Sequence, residues 1–196
     1  MDLENKNPFD IFDQWMTDAI RDEPNNPNAM CLSTVSTDGK PSSRMVLLKD
    51  YGQNGFIFFT NSHSRKGQEL EGNNNVALCL YWKKFQRQVR IEGTVEIVSR
   101  DITEAYFHSR HRGSQIASYA SKQSHPLPDK SIYTARIAEL ENKFKGQDNI
   151  PCPEHWNGYR VMPSSIELWQ EGEHRTHDRF VFRADEDNWK AKRLYP

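Results

Sequence analysis

Apolar residues recur at helical spacing near the start of the chain. In residues 8–22, PFDIFDQWMTDAIRD, they stand three or four positions apart, which predicts an amphipathic helix with one buried face. Pro8 suits the first turn of such a helix, because that position needs no backbone donor. The predicted buried stripe is Phe9, Phe12, Trp15, Met16, Ala19 and Ile20.

The centre and the end of the chain alternate apolar with polar residues, which is typical of strands. The clearest case is QVRIEGTVEIV, residues 88–98, where Val89, Ile91, Val95 and Ile97 would share one face. Asp38-Gly39 separates two apolar runs and predicts a hairpin in residues 28–50. Further strands are predicted in GFIFFTN (55–61), NVALCLYW (75–82), YRVMPSSIELWQ (159–170), HDRFVFRA (177–184) and NWKAKRLYP (188–196).

Three segments favour helices between and beside these strands. SHSRKGQELEGN (62–73) begins with capping serines and predicts a short helix, and residues 101–121 and 131–145 predict longer ones. Consecutive strands joined by tight turns imply an antiparallel sheet, and many short strands favour closure into a barrel. The sequence therefore predicts a mainly β (α+β) fold with peripheral helices. Residues 1–25 would form an N-terminal helical segment, and 26–196 a single domain.

Composition narrows the classes of function. A net charge of −1 and a pI near 6.7 give no electrostatic basis for nonspecific binding to nucleic acid or membranes. The start of the chain lacks a secretory signal, and three widely spaced cysteines predict ordinary thiols, so we expect a cytoplasmic protein. The apolar fraction of 36% is low for a monomer and suggests burial against another subunit.

EHRTHDRF, residues 173–180, raises the question of an anion site. If this stretch is a strand, Arg175, His177 and Arg179 share one face, where like charges are unfavourable without an anionic partner or exposure to water. The two interpretations are a solvated edge strand and a ligand site. His174, His177 and Asp178 also admit a metal site, but alternation places His177 on the other face and the arginines oppose a cation, so no metal is predicted.

Three other basic groups bear on the same question. RMVLLK (44–49) is an apolar strand with Arg44 at one end and Lys49 at the other. Strand alternation would place these two side chains on opposite faces, where they would contact different partners. Alternatively, the two charges simply mark the ends of the strand. Arg65 and Lys66 follow Ser64 at the start of a predicted helix, where cations are unfavourable unless an anion such as a phosphate binds.

The segment YFHSRHRGSQ, residues 106–115, offers a further anion site. Tyr106, Arg110 and Ser114 are four residues apart and would form one stripe if the helix continues past Gly113. A phenol, a guanidinium and a hydroxyl suit phosphate oxygens, although a half-buried amphipathic helix explains the pattern equally well. Together with the other basic groups, this stripe suggests two phosphorylated small molecules held side by side.

The motifs, taken in order, resemble the pyridoxine (pyridoxamine) 5'-phosphate oxidase family. They are RMVLLK, FFTNSHSRK, RQVRIEG, YFHSRHRGSQI, SKQS, WNGYRVMPSSIELWQ, RTHDRF and the terminal RLYP, which extend from about residue 29 to the end of the chain. The resemblance implies a split β-barrel homodimer with FMN at the subunit interface. It also implies oxidation of pyridoxamine or pyridoxine 5'-phosphate to pyridoxal 5'-phosphate, with O2 as the acceptor and H2O2 as a product.

The resemblance further implies a set of site residues. The FMN contacts would be Arg44, Met45, Val46, Leu47, Leu48, Lys49, Phe59, Thr60, Arg65, Lys66, Gln88, Gln123, Ser124, Trp169 and Arg179. The substrate contacts would be Lys49, Tyr106, Arg110, Ser114, Arg175, Thr176 and His177. Arg175 and His177 would be the catalytic pair, orienting the substrate ring and stabilising charge, with His177 also a candidate general base.

Several positions depart from the family pattern. They are Phe59 for tyrosine, His111 for proline, Tyr119 for tryptophan, Leu168 for an aromatic residue, Glu171 for glycine and Thr176 for leucine. Glu171 and Thr176 lie close to the implied active site and bear on affinity and rate. Two alternative functions are a related flavin oxidase acting on another reduced aromatic, such as a dihydrophenazine, and a non-catalytic module that binds FMN or pyridoxal phosphate.

Overall fold

The fold is an antiparallel sheet with helices on its periphery. The computed structural model describes residues 3, 6–23, 25–186 and 188–196. The strands are β1 (Ala29–Val35), β2 (Pro41–Leu47), β3 (Asp50–Gly52), β4 (Gly55–Asn61), β5 (Asn75–Trp82), β6 (Arg87–Ile97), β7 (Trp156–Gln170), β8 (Asp178–Asp185) and β9 (Asn188–Arg193). The helices are α1 (Pro8–Asp22), α2 (Arg65–Gly72), α3 (Arg100–Ser109), α4 (Arg112–Ala120) and α5 (Lys130–Lys143).

The strand order explains how the sheet closes. Neighbouring strands run β2-β1-β5-β6-β7-β4-β3, and every pair is antiparallel. The two end strands, β2 and β3, are joined by only Leu48 and Lys49, so the edges of the sheet must meet. The Lys49 amide donates to the Ile57 carbonyl on β4 at 2.8 Å, which ties this junction to the far edge. The predicted barrel is therefore observed.

β7 is long enough to serve two sets of partners. Its first half pairs with β4, from Phe56↔Val161 to Asn61↔Trp156, and its second half pairs with β8. β9 then pairs with β8 only. The sheet thus divides along β7, with β4 on its first half and the β8–β9 ribbon on its second half.

The N-terminal helix belongs to the main core. In α1, Phe12, Trp15, Met16 and Ala19 are at most 4% exposed and pack in the same cluster as the barrel strands. The predicted stripe is confirmed except at Ile20, which is 62% exposed because it lies beyond the face that contacts the sheet.

Ion pairing also fixes α1 to the sheet. The Arg87 guanidinium donates to the Asp18 carboxylate at 2.8 Å and lies 4.9 Å from the centre of the Trp15 ring. The hydrogen bond and charge of Arg87 lower the pKa of Asp18. The helix is thereby held against the start of β6.

On β6 the predicted alternation is observed: Val89, Ile91 and Val95 are buried, whereas Ile97, the last residue of the strand, is 64% exposed. One expectation about the helices was wrong. The single helix expected over 101–121 is two helices, α3 and α4, separated at Arg110 and His111. The Asp38-Gly39 hairpin is confirmed, with Gly39 at φ +80° as its turn requires. Within the described residues no helix is long and apolar enough to span a bilayer, and the three cysteines are free thiols.

Candidate active site

A cavity of about 990 Å³ opens between the sheet and helices α2, α3 and α4. This volume is typical of a site for small molecules. Most residues predicted to bind FMN or substrate line it. They are Arg44, Met45, Val46, Leu47, Lys49, Phe59, Thr60, Arg65, Lys66, Tyr106, Arg110, Ser114, Gln123 and Ser124.

A buried carboxylate, Glu69 on α2, organises the cations at one end of the cavity. Arg44 Nη2 donates to Glu69 Oε2 at 3.0 Å, and Arg65 Nε donates to Oε1 at 2.8 Å. The hydroxyls of Ser42 and Thr34 also donate to Oε2. Burial would raise the pKa of Glu69, but the hydrogen bonds from Ser42, Thr34, Arg65 and Arg44 lower it to about 2. Glu69 is therefore ionised and holds both guanidiniums in place.

Replacing Glu69 tests this network. Glu69→Gln should lower the free energy of unfolding at pH 7 by about 2–3 kcal/mol, chiefly because it leaves Arg44, whose side chain is only 20% exposed, without its counter-charge. The pKa of Glu69 is depressed from 4.5, so this stabilisation is present above about pH 4.5 and is lost as the pH falls towards 2. Urea unfolding at pH 7 and pH 3 measures both effects.

The exposed Glu71, on the same helix, provides the matched control. Glu71→Gln should change stability by less than about 0.5 kcal/mol at either pH. If the two variants unfold alike at pH 7, Glu69 does not organise the cluster.

Lys66 lies at the same end of the cavity as Arg44 and Arg65 but, among the described residues, has only neutral hydrogen-bond partners. Its Nζ donates to Thr60 Oγ1 at 3.1 Å, Gln123 Oε1 at 3.0 Å and Ser64 Oγ at 3.4 Å. Burial, together with the nearby charge of Arg44, lowers the pKa of Lys66 to about 8. Three cations with one carboxylate leave this end positive, and the ammonium of Lys66 would be stabilised by an anion.

The other end of the cavity combines cations with stacked aromatic rings. The Phe59 ring lies 4.2 Å from that of Tyr106 and 5.2 Å from that of Trp156, centre to centre. Lys49 Nζ lies 5.6 Å from the Tyr106 ring, and the Arg110 guanidinium lies 4.7 Å from the Trp156 ring. Two positive groups are thus placed beside a flat apolar wall.

Two expectations about these cations required correction. Arg44 and Lys49 were expected on opposite faces, but both line the cavity, because β2 ends at Leu47 and alternation does not extend to Lys49. Tyr106, Arg110 and Ser114 do not share a continuous helix. Arg110 has an extended backbone (φ −77°, ψ 151°). All three side chains nevertheless line the same cavity, although they lie on different helices or between them.

The residues following the break start a new helix. The imidazole Nδ1 of His111 accepts a hydrogen bond from the Gly113 amide at 3.2 Å, and His111 caps α4 in this way. A capping side chain at this position favours a fresh helix start over a continuation of α3. The departure from the family pattern at His111 therefore has a local structural role.

A second group of predicted site residues lies apart from the cavity. Gln88, Trp169 and Arg179 are cross-strand neighbours on β6, β7 and β8, and the rings of Trp169 and His177 are 4.9 Å apart. Arg179 is already paired, since its Nη2 donates to the Glu167 carboxylate at 2.9 Å. Neither these residues nor Arg175 and Thr176 contribute to the cavity lining within this chain. Leu48 also points elsewhere and is buried in the core.

EHRTHDRF is not a continuous strand. Glu173–Arg175 form a short 3-10 turn, and β8 begins at Asp178. His174 and Arg175 both have positive φ, 52° and 68°, which is unfavourable for residues with a side chain. The alternation that placed Arg175, His177 and Arg179 on one strand face was therefore wrong, and Arg175 projects from an exposed turn.

The turn also fixes the ring of His177. The Gly172 amide donates to His177 Nδ1 at 3.2 Å, so a neutral His177 carries its proton on Nε2. No three His, Cys, Asp or Glu side chains of the described residues lie together as a metal site would require. A neutral His177 thus presents an N–H donor at Nε2, and Arg175, which precedes it in the same turn region, is exposed.

Two family models match the chain one after the other. Residues 16–144 match the family described as pyridoxamine 5'-phosphate oxidase, and residues 156–196 match the pyridoxine 5'-phosphate oxidase C-terminal dimerisation region. The chain belongs to the pyridoxine/pyridoxamine 5'-phosphate oxidase family. A relative of that name from Caulobacter vibrioides (strain NA1000 / CB15N) is 50% identical over 194 residues, which cover 99% of this chain and 87% of the relative.

Other members of the family and solved structures agree with this assignment. The relative from Gluconobacter oxydans (strain 621H) is 48% identical over 96% of this chain and 94% of its own. PhzG from Burkholderia lata 383, solved with tetrahydrophenazine-1-carboxylic acid, superposes with a TM-score of 0.90 at 30% identity, covering 96% of this chain and 92% of PhzG. A pyridoxamine 5'-phosphate oxidase-related, FMN binding protein from Nostoc punctiforme has a TM-score of 0.79 at 13% identity, with full coverage of both chains.

These comparisons confirm the resemblance, the split-barrel fold and the enzyme class predicted from the sequence. Membership in the oxidase family indicates a flavin-dependent oxidoreductase, and the C-terminal match indicates a homodimer. The dihydrophenazine alternative is not favoured, because PhzG is 30% identical whereas the named oxidases reach 50%.

Sequence reasoning missed two cavity residues that contact Arg110. Ser118 could have been found, since it stands four residues after Ser114 and so continues the same face of a helix. Trp156 begins the WNGYRVMPSSIELWQ motif, but no local pattern indicates its contact with Arg110, which joins residues 46 positions apart in the sequence. Both line the cavity.

Proposed function

We propose that the protein oxidises pyridoxamine 5'-phosphate or pyridoxine 5'-phosphate to pyridoxal 5'-phosphate, with FMN as its flavin, O2 as the electron acceptor and H2O2 as a product. The observation that carries this proposal is one cavity lined by two separate groups of cations, one around Glu69 and the other beside stacked aromatic rings. Two phosphorylated, flat ligands would satisfy that arrangement. The oxidases to which the chain is similar are named for these two substrates.

The end built on α2 fits the FMN phosphate. Arg44, Arg65 and Lys66 together exceed the single charge of Glu69, and Lys66 has only neutral oxygen partners in the part of the chain described. The first turn of α2 adds a positive dipole end, with Ser64 as its cap. When bound, FMN supplies the two-electron redox chemistry, and the residues of the chain hold the reactants.

The end near α3 and α4 fits the substrate phosphate. Lys49 and Arg110 supply charge, and the hydroxyls of Tyr106 and Ser114 supply hydrogen bonds at the same cavity wall. Arginine and lysine bind phosphate in complementary ways, the first through paired N–H groups and the second as a point charge. The substrate ring would then stack near Phe59, away from bulk water.

The second group of residues would come from the other subunit. Trp169, Arg175, His177 and Arg179 all lie in the matched C-terminal dimerisation region, outside the cavity of their own chain. In a twofold dimer, any contact between one surface of a subunit and a second surface of its partner is repeated by symmetry. The dimer would therefore contain two equivalent shared sites. Each cavity would be completed by the partner's Arg175 and His177.

In that position His177 would act as a hydrogen-bond donor. Its Nδ1 is engaged by the Gly172 amide, so a neutral ring offers Nε2–H to an electron-rich atom of the substrate and has no free lone pair to accept a proton. Arg175 would add a fixed positive charge where electron density changes during oxidation. Positioning and electrostatics, not proton abstraction by His177, are the proposed contribution of this pair.

Mixed dimers test whether the sites are shared. One variant would lack the charges of Lys49 and Arg110, and the other would carry Arg175→Ala; each homodimer should be nearly inactive. A heterodimer purified through two different tags should regain about half of the wild-type activity, because one of its two sites has both intact halves. If each site lies within one subunit, the heterodimer will be as inactive as its parents.

Oxygen uptake tests the reaction itself. The purified protein with FMN should consume O2 and form an aldehyde when pyridoxamine 5'-phosphate is added, and unphosphorylated pyridoxamine should be a much poorer substrate. Turnover of a dihydrophenazine without turnover of pyridoxamine 5'-phosphate would favour the related oxidase. Tight binding of FMN or pyridoxal phosphate without O2 uptake would favour the non-catalytic module.

A further inference from the structure

The guanidinium of Arg110 is fixed by two cavity-lining side chains that were not among the predicted site residues. Arg110 Nη1 donates to Ser118 Oγ at 2.7 Å, and the guanidinium carbon lies 4.7 Å from the centre of the Trp156 ring. Ser118 Oγ in turn donates to the Ser114 backbone carbonyl at 2.9 Å. A short chain of hydrogen bonds thus connects Arg110 to the body of α4.

Arg110 needs such an anchor because of where it stands. It occupies the extended break between α3 and α4, so its backbone belongs to neither helix and its long side chain depends on contacts with other residues for its position. An unrestrained arginine loses up to about 2 kcal/mol of side-chain entropy when a ligand fixes it. A side chain already held in its binding conformation avoids most of that loss.

The charge of Arg110 is available to an anion. Burial lowers the pKa of Arg110, but a guanidinium remains charged in proteins. Within the part of the chain that the structure describes, Arg110 forms no ion pair with a carboxylate. Only one of its five N–H groups is used by Ser118, so one edge can still bind two phosphate oxygens.

We propose that Ser118 is a positioning residue that sets the affinity for the substrate phosphate by holding Arg110 against Trp156. This inference rests on the proposed function, in which Arg110 binds that phosphate. Ser118 acts through Arg110 and makes no contact of its own with the reacting atoms. Its removal should affect the binding of phosphorylated substrate and leave the oxidation step and the FMN end of the cavity unchanged.

Steady-state kinetics with the FMN-loaded dimer separate binding from turnover. Ser118→Ala should raise the KM for pyridoxamine 5'-phosphate about tenfold, since a hydrogen bond to a charged group is lost, while kcat stays within about twofold. Ser118→Thr should restore most of the affinity, because threonine keeps the hydroxyl and its bond to the preceding turn. Ser109→Ala is the control: its hydroxyl bonds the Tyr106 carbonyl and does not line the cavity.

A second measurement distinguishes failure of the inference from failure of the proposed function. Calorimetric titration of the FMN-saturated protein with inorganic phosphate should give about tenfold weaker binding for Ser118→Ala than for wild type. That result supports the anchor even if pyridoxamine 5'-phosphate is not oxidised. Equal KM and equal phosphate affinity in an active Ser118→Ala variant would refute it, and so would a fall in FMN retention or melting temperature that accounts for the loss.

Discussion

Arg175→Gly should produce a protein that is more stable and much less active. His174 and Arg175 both adopt positive φ in the turn before β8. A residue with a side chain pays about 1–2 kcal/mol for that conformation, whereas glycine adopts it freely. After the larger chain entropy of unfolded glycine is subtracted, a net gain of about 0.5–1 kcal/mol remains, or roughly 2 °C in Tm.

The loss of activity has a separate cause. If Arg175 of the partner subunit supplies charge at the substrate ring, its removal should lower kcat/KM by about 100-fold, the usual cost of losing one electrostatic donor in an active site. FMN should stay bound, because Arg175 is assigned to the substrate. Thermal unfolding, visible flavin absorbance and oxygen uptake measure the three properties in one preparation.

Arg175→Ala is the matched control for this experiment. Alanine removes the same charge but keeps the strain of positive φ, so activity should fall equally while Tm stays close to wild type. A colourless Arg175→Gly protein would contradict the assignment of this residue to the substrate. An unchanged Tm would show that the turn is not strained.

Much of the fold followed from local patterns in the sequence. The α1 stripe, the Asp38-Gly39 hairpin and the alternating β6 segment each depend on interactions within a few residues, and all three were confirmed apart from the exposed Ile20. Barrel closure depends on the two-residue link between β2 and β3, which pattern alone could not reveal, since β3 is only three residues long. The register shift between β6 and β7 at Glu92/Gly93 likewise depends on a strand distant in the sequence.

The candidate site was predictable in its residue types but not in its arrangement. Arg44, Lys66 and Arg110 were selected because clustered cations need an anion, and they do line one cavity. The turn at Arg175 was missed, because period-two alternation takes no account of the positive φ at His174. Trp156 was missed for a different reason: its contact with Arg110 exists only after α3 and β7 have packed. Ser118, in contrast, continues the spacing of Ser114 and could have been predicted.

The largest expected effect on the cofactor concerns Lys66. Lys66→Met should weaken FMN binding by about 10- to 100-fold, because it removes a hydrogen bond between an ammonium and a phosphate while keeping the apolar stem. In the flavin-free protein, burial and the charge of Arg44 lower the pKa of Lys66 to about 8. The exposed Lys130, the first residue of α5, supplies the control Lys130→Met, which should bind FMN as wild type does.

The role of Lys66 also predicts how the affinity for FMN changes with pH. FMN carries a phosphate dianion above about pH 6, so only the protonation of Lys66 changes between about pH 7 and 9. Binding favours the ammonium form and raises its pKa. The affinity of wild-type protein should therefore be nearly constant well below pH 8 and fall above it, by up to about tenfold per unit until the pH reaches the raised pKa of Lys66 in the complex. Fluorescence titration of Lys66→Met should show no such fall. A Lys66→Met protein that retains both the wild-type affinity and its decline above pH 8 would rule out the phosphate end proposed at α2.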